Sequence, residues 1–343
     1  MRSVAVAVLA SILCLGLVGS RAAQGAEVEW KFFTHFNPND LTTKVDRAFA
    51  QDVEKATNGR LKITVYTAAD LPYKFNDTLR LIATNQIQMG SVTIGLNIGE
   101  LPGLNVFDLP FLCTSFDDFY RAADSTSAIF DPVLRDKFSI KTLVRYTMPP
   151  QQIWLTQPIK SMDDLKGRKI RIWSRLQVDM LSRFGASGVS ITVAEVTTSL
   201  QRQVVDGAIT AAAPAFDWHF YEVAKVGYML DFQMAPVYIG VNVGEFNKLP
   251  KDLQAIFLAK TQEWETRYRK ALEEGEADAR KRLVEKGETL VTPTKADVDK
   301  ARAATRPMWE EWAKQGGEVS QKLLAATSEA CLSQKAAPGR GSR

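Results

Sequence analysis

Nucleophilic catalysis needs a hydroxyl or thiol with a histidine in reach and a carboxylate behind it. The chain holds only two histidines, His35 and His219, in 343 residues. Neither sits in a motif that supplies the other partners, and no Gly-x-Ser-x-Gly elbow occurs. Zinc asks for three or four clustered nitrogen, sulfur or oxygen ligands, which two distant histidines and no cysteine pairs do not offer. The glycines between Gly95 and Gly103 lack the spacing of a phosphate or dinucleotide loop. No catalytic machinery and no cofactor are expected.

Recognition chemistry is better represented. Arg171 lies in the run Lys169-Ile-Arg-Ile172, and Trp173 follows two residues later. A planar guanidinium presents two parallel donors that match one carboxylate, and an aromatic wall beside such an anchor suits a small-molecule pocket. His35, at the end of the first apolar run, and Tyr73, on the Leu71-Pro-Tyr-Lys74 loop, are further candidates. Each has a plainer reading. Most strand-end arginines are solvated, a lone tryptophan is as often core as pocket wall, and His35 and Tyr73 suit a turn and a surface loop equally well. Trp154 and Trp218 are read as structural.

Positioning these groups requires sheets. Glu29–Phe33 reads as a strand, the Val45/Phe49/Val53 spacing as a helix stopped at Asn58-Gly59, and the alternation Leu61/Ile63/Val65 as a second strand. A helix through Leu79 and Ile82 and a strand over Ile87–Val92 complete a β-α-β-α-β unit, which predicts a mostly parallel sheet. Strands at Gln152–Thr156, Lys169–Ile172 and Val189–Ile191, with helices at Leu176–Phe184, Glu195–Val204 and Pro214–Lys225, make a second unit. Between Leu249 and Gly287 the apolar spacing continues for about 36 residues, a helix of roughly 54 Å with Gly275 as a candidate kink. That exceeds one small domain, so it is read as a brace across two lobes.

Composition agrees with a folded, exported protein. Apolar residues make up 45% and charged ones 24%, enough for two cores and too ordinary for disorder. The net charge of +4 comes from the ends, since Arg2, Arg21, Lys335, Arg340 and Arg343 outweigh a body of net −1. A neutral body excludes a nucleic-acid partner. Arg2, the apolar stretch Val4–Val18 and the small residues from Ser20 to Ala26 read as a signal peptide over residues 1–26, cut between Ala22 and Glu27. Cys14 falls inside it. Cys113 and Cys331 could pair in an oxidising compartment, but Cys331 sits in a Lys/Ala/Pro/Gly/Ser-rich tail, and two unpaired thiols are the favoured reading.

Several ordered segments together resemble a known family. They are Asn58-Gly-Arg60, Leu109-Pro-Phe-Leu112, Met162-Asp-Asp-Leu-Lys-Gly-Arg-Lys-Ile-Arg171, Phe184-Gly-Ala, Glu195-Val, Leu200-Gln, Val205-Asp-Gly207, Phe220-Tyr-Glu-Val223 and Asn247-Lys-Leu-Pro250. From Val28 to about Ala326 the chain resembles the extracytoplasmic solute-binding proteins of TRAP transporters, the DctP-type tripartite ATP-independent periplasmic systems. The resemblance implies an α/β, two-lobed, periplasmic-binding-protein-like fold with a long helix bracing both lobes. It implies capture of a small organic carboxylate in the periplasm, delivery to membrane permease subunits, and no enzyme activity. The alternative is a two-lobed receptor for an ATP-driven importer or a sensor kinase.

Carried over residue by residue, the family's anchoring arginine falls on Arg171. Three positions depart from the pattern. Gln151 stands where many members have a second arginine, Thr210 near where many have asparagine, and Thr93 where an acidic residue ends the third strand. With those groups lost, the resemblance implies a monocarboxylate with a less polar body, contacted by Arg171, Gln151, Trp173, His35, Thr93, Thr210 and Tyr73. The expected division is lobe 1 over 27–148 and 236–275, lobe 2 over 149–235 and 276–326, and a flexible tail over 327–343.

Overall fold

The computed structural model describes residues 26–332. The expected signal peptide, Ala26 apart, and the chain beyond Leu332 lie outside the described residues. In the chain's first strand, β1 (Val28–Phe33), Trp30 and Phe32 are buried while Glu29 and Lys31 face solvent, the alternation that makes a strand one wall of a core. The remaining strands are β2 (Leu61–Tyr66), β3 (Met89–Thr93), β4 (Ile140–Met148), β5 (Gln152–Leu155), β6 (Lys169–Ile172), β7 (Ser187–Ser190), β8 (Gly207–Thr210), β9 (Val226–Tyr228), β10 (Ala235–Asn242) and β11 (Thr289–Val291).

They form two sheets. One has the order β2-β1-β3-β10-β4 and the other β11-β9-β5-β8-β6-β7. Helices Leu41–Ala56 and Thr78–Ala83 carry the crossovers that set β2 and β3 parallel to β1. β10 runs antiparallel to β3 and β4. In the second sheet β6 pairs in parallel with β7 and β8, while β5 is antiparallel to β8 and β9. The fold is therefore two-lobed α/β, as the residue patterns predict.

The chain crosses between lobes at Pro149-Pro150 and again at Asp231–Met234. These crossings pair with each other: Gln151 N–H donates to the Gln233 carbonyl at 2.9 Å and Phe232 N–H to the Gln151 carbonyl at 3.3 Å. The third link is the helix Lys251–Glu285, about 52 Å long at 1.5 Å per residue. Its buried stripe steps by three and four residues through Leu253, Phe257, Thr261, Trp264, Tyr268 and Leu272 on the first lobe's side, then, past Glu276, Ala279 and Leu283 in the second's core. Between them Glu276 is buried in the same stripe and accepts from the backbone N–H groups of Ala212 and Ala213, 3.3 and 2.9 Å.

Four expectations are corrected. Gly275 does not interrupt this helix; a Cβ there would collide with the Leu41 side chain, so glycine serves close packing instead. Pro214–Lys225 is not one helix: Ala212–Asp217 stops, His219 adopts a left-handed conformation with φ 58°, and Phe220–Val223 starts afresh. Cys113 and Cys331 form a disulfide, because the last helix does not fray at 327 but runs from Pro307 to Leu332, with a break at Gly317. That helix, expected in the second lobe, packs on the first. Trp309 and Trp312 donate to the Pro110 carbonyl and Asn105 Oδ1 at 3.0 and 2.8 Å, and Ser320 to the Gly103 carbonyl at 2.9 Å.

Candidate functional site

Open α/β sheets gather ligands beyond the carboxyl ends of their parallel strands. Here β1, β3, β6 and β8 end toward the gap between the lobes, and the antiparallel β5 begins there. The gap encloses a cavity of about 550 Å³, within the usual range for small-molecule sites. All seven sequence-predicted residues line it: His35, Tyr73 and Thr93 from the first lobe, Gln151, Arg171, Trp173 and Thr210 from the second.

Arg171 is 3% exposed. Its Nε donates to the Ile191 carbonyl at 3.0 Å and one terminal nitrogen to the Ile209 carbonyl at 3.1 Å, which fixes the plane of the guanidinium. Among the described residues no carboxylate bonds to it, and burial lowers its pKa to about 10. It therefore stays protonated, a desolvated cation with donors left for an anion. Such a charge is costly to bury unless something pairs it. The Trp218 ring adds a partial offset, with its centroid 5.8 Å from the guanidinium carbon.

The polar neighbours are largely committed to one another. Trp173 donates its indole N–H to Gln151 Oε1 at 3.0 Å, and the Gln151 amide donates to the Pro149 carbonyl at 2.9 Å. Gln151 thus positions Trp173 across the crossover. Thr93 Oγ1 and His35 Nε2 are 3.2 Å apart. Burial drives the His35 pKa down to about 4, so the ring is neutral, and among the described residues no carboxylate orients its other nitrogen. That pair is no nucleophile and base. Thr210 is held through its carbonyl, which accepts from Trp154 Nε1 at 2.9 Å, confirming Trp154 as structural. Tyr73 packs edge-on against Phe33, centroids 5.8 Å apart.

The remaining lining is mainly apolar, with Phe36, Leu96, Met148, Ile191, Val193 and Trp218 prominent. Trp218, read from sequence as structural, belongs to the wall because the helix ends before it and the left-handed His219 turns the chain. Lys74, on the loop that supplies Tyr73, is a second basic residue at the exposed rim. Its neighbour Tyr73 was the only sequence signal for that loop.

Behind Trp173 lies a buried carboxyl. Asp108 Oδ2 accepts from Ser174 Oγ at 2.9 Å across the lobes and from Asn105 Nδ2 at 3.3 Å. Burial pushes its pKa up to about 7. A carboxyl whose folded pKa exceeds the unfolded one stabilises the fold at low pH, and that stability is lost as pH rises through the folded value. Between pH 4 and 7 the protein should lose stability with a slope on the order of 1 kcal/mol per pH unit from this group. Asp108→Asn should flatten the melting-temperature profile over that window. Parallel profiles for the two proteins would count against the assignment.

Among the described residues no group of three or more histidine, cysteine or acidic side chains is placed to hold a metal. Two lobes closed on an apolar cavity, with one buried cation awaiting an anion, define a solute-binding protein. The chain belongs to the bacterial extracellular solute-binding protein family 7, whose model matches residues 33–315. The family and fold are those of binding proteins, not enzymes. A solute-binding protein from Chromohalobacter salexigens is 26% identical over 296 residues, covering 84% of this chain and 86% of that one. The fold matches that of DctP7, a Bordetella pertussis extracytoplasmic solute receptor binding pyroglutamic acid, with TM-score 0.82 and 24% identity over 88% of this chain and 99% of that one. It also matches a TRAP periplasmic solute-binding protein from Shewanella oneidensis with bound succinate, TM-score 0.79 and 22% identity, over 88% and 99%.

Proposed function

We propose that this protein captures a small organic monocarboxylate with a largely apolar body in the periplasm and hands it to the membrane permease subunits of a TRAP transporter. The observation that carries the reading is Arg171: a buried guanidinium with no carboxylate partner among the described residues, facing an otherwise mostly apolar cavity. The ligand's carboxylate takes the free guanidinium donors, while Trp173, Trp218 and Phe36 cover its body. Gln151, Thr93, His35, Thr210 and Tyr73 shape the walls. The related receptors bind acids of different kinds, pyroglutamate with one carboxylate and succinate with two, which supports an organic acid and leaves its charge to be tested on this chain. Export follows from cleavage of residues 1–26 between Ala22 and Glu27, and the two lobes divide near residues 148, 235 and 275, with the chain returning to the first lobe near 306.

A thermal-shift panel of benzoate, phenylacetate, indole-3-acetate, pyroglutamate and succinate tests the reading, since a bound ligand raises the melting temperature by mass action. Monocarboxylates with a ring should stabilise more than succinate. Gln151→Arg adds a second cation and should shift preference toward succinate by about tenfold, the scale of one favourable charge contact. An unshifted ranking in the folded variant would remove Gln151 from selectivity.

A further inference from the structure

At the edge of the cavity the lobes are joined by two hydrogen bonds that cross each other. From the second lobe, Trp218 Nε1–H donates to Asp40 Oδ1 in the first at 3.2 Å. From the first, the Leu41 backbone N–H donates to Asp217 Oδ2 in the second at 3.0 Å. Both acceptors are prepared for this. Asp40 precedes the helix Leu41–Ala56 and its other oxygen accepts from Asn37 N–H at 2.9 Å, while Asp217 ends the helix Ala212–Asp217 and caps a free amide in the first turn of the opposite one. Asn37 and Trp218 both line the cavity, and Trp218 lies against Arg171. The contact thus reaches from the lobe interface to the anion anchor through a single indole.

We propose that Asp40 and Asp217 are positioning residues that form a reciprocal clasp between the lobes, fixing Trp218 as a cavity wall on closure and setting how long the bound acid stays. The proposal deepens the reading above and rests on it. Opening the lobes parts both bonds and returns each carboxylate to water, so the clasp acts on release more than on encounter.

The clasp also places two carboxylates near each other. Burial pushes Asp40 up to about 6, with Asp217 contributing, and burial raises Asp217 too. The charges that face them are Lys44 on the first-lobe helix, Arg282 on the long helix and His219 on the following turn. Arg47 is engaged with the Pro38 carbonyl, and Glu276 and Arg280 pair with each other. The closed form therefore holds its proton more tightly than the open form, where Asp40 is hydrated. Closure strengthens as pH falls from about 6 toward the ordinary carboxyl value of about 4, and is at its weakest and level above about 6.

Stopped-flow release of whichever of benzoate, phenylacetate, indole-3-acetate or pyroglutamate binds is the direct test. Asp40→Ala should speed release about tenfold while the association rate stays within about twofold. Asp40→Asn keeps the acceptor for Trp218 and should restore slow release, now with a shallower change between pH 5 and pH 8, since Asp217 still titrates. Equal release from the Ala and Asn variants would overturn the clasp. If none of the four acids binds, the ligand reading fails, and an arm without ligand still decides the clasp. Asn76→Cys and Ala194→Cys place thiols on opposite walls of the cavity, where a flexible bismaleimide traps transient closure. In that background Asp40→Ala should slow trapping several-fold and Asp40→Asn should not; matching rates would sink the proposal.

Discussion

Arg171→Ala should weaken binding of the cognate acid by about 2–5 kcal/mol, a loss of roughly 30-fold to several thousand-fold in affinity. The magnitude follows from where the charge sits. At the surface an ion pair is worth less than about 1 kcal/mol, because water screens it and competes for its donors. Arg171 is buried, its plane is fixed by two carbonyls, and closure removes the competing water. A carboxylate arriving there gains a charge-assisted, bidentate contact and relieves an uncompensated cation. Without the guanidinium, that carboxylate is left desolvated in an apolar cavity. Arg171→Lys should recover only part of the loss, since an ammonium keeps the charge but not the paired donors. Calorimetry with the best acid of the panel, beside a melting curve to show that each variant folds, measures both. Unchanged affinity in a folded Arg171→Ala protein would remove the anchor from the mechanism.

Part of this site is legible in the sequence because strand ends are. Lys169–Ile172 reads as a strand whose end carries Arg171, and Ile87–Val92 as one that stops just before Thr93. The roles of Thr93 and Thr210, however, come only by position from the family resemblance, since no periodicity marks the strand Gly207–Thr210. Gln151 likewise comes by position from the resemblance, and the structure places it at the Pro149-Pro150 crossing, just before the antiparallel strand Gln152–Leu155. What escapes is whatever depends on a helix stopping early. Trp218 looks structural when Pro214–Lys225 is drawn as one helix, and only the left-handed His219 reveals the end. Histidine carries no signal for that conformation as glycine or asparagine would. Lys74 escapes for another reason: a loop's path over a cavity is set by what it packs on, not by its own residues. The clasp is invisible for the same cause, as Asp40 and Asp217 are far apart in the chain and meet only across closed lobes.

The disulfide carries the second large effect. Cys331→Ser, or reduction of the bond, should destabilise the protein by about 2–5 kcal/mol and lower its melting temperature by roughly 5–15 °C. The bond closes a loop of 218 residues, so in the unfolded chain it removes far more freedom than a short-range bridge does. In the fold it ties the end of the last helix to Cys113, beside the first lobe's Pro110-Phe-Leu112 segment that Trp309 also grips. The signal for it was periodic, not compositional. Ser320, Leu323, Thr327 and Cys331 are all fully buried at steps of three and four, one continuous helical face through a stretch whose small and polar residues suggest fraying. The bond lies on the first lobe at the far end of the last helix from Glu311, which pairs with Arg183 of the second lobe at 2.9 Å. It should therefore hold that end in place without loading the closure. Ligand affinity of the Cys331→Ser protein, measured well below its melting temperature, should stay within about threefold of the parent. A melting temperature indifferent to reduction would mean that the helix docks through Trp309 and Trp312 alone. A large loss of affinity would mean that the last helix reports on the cleft after all.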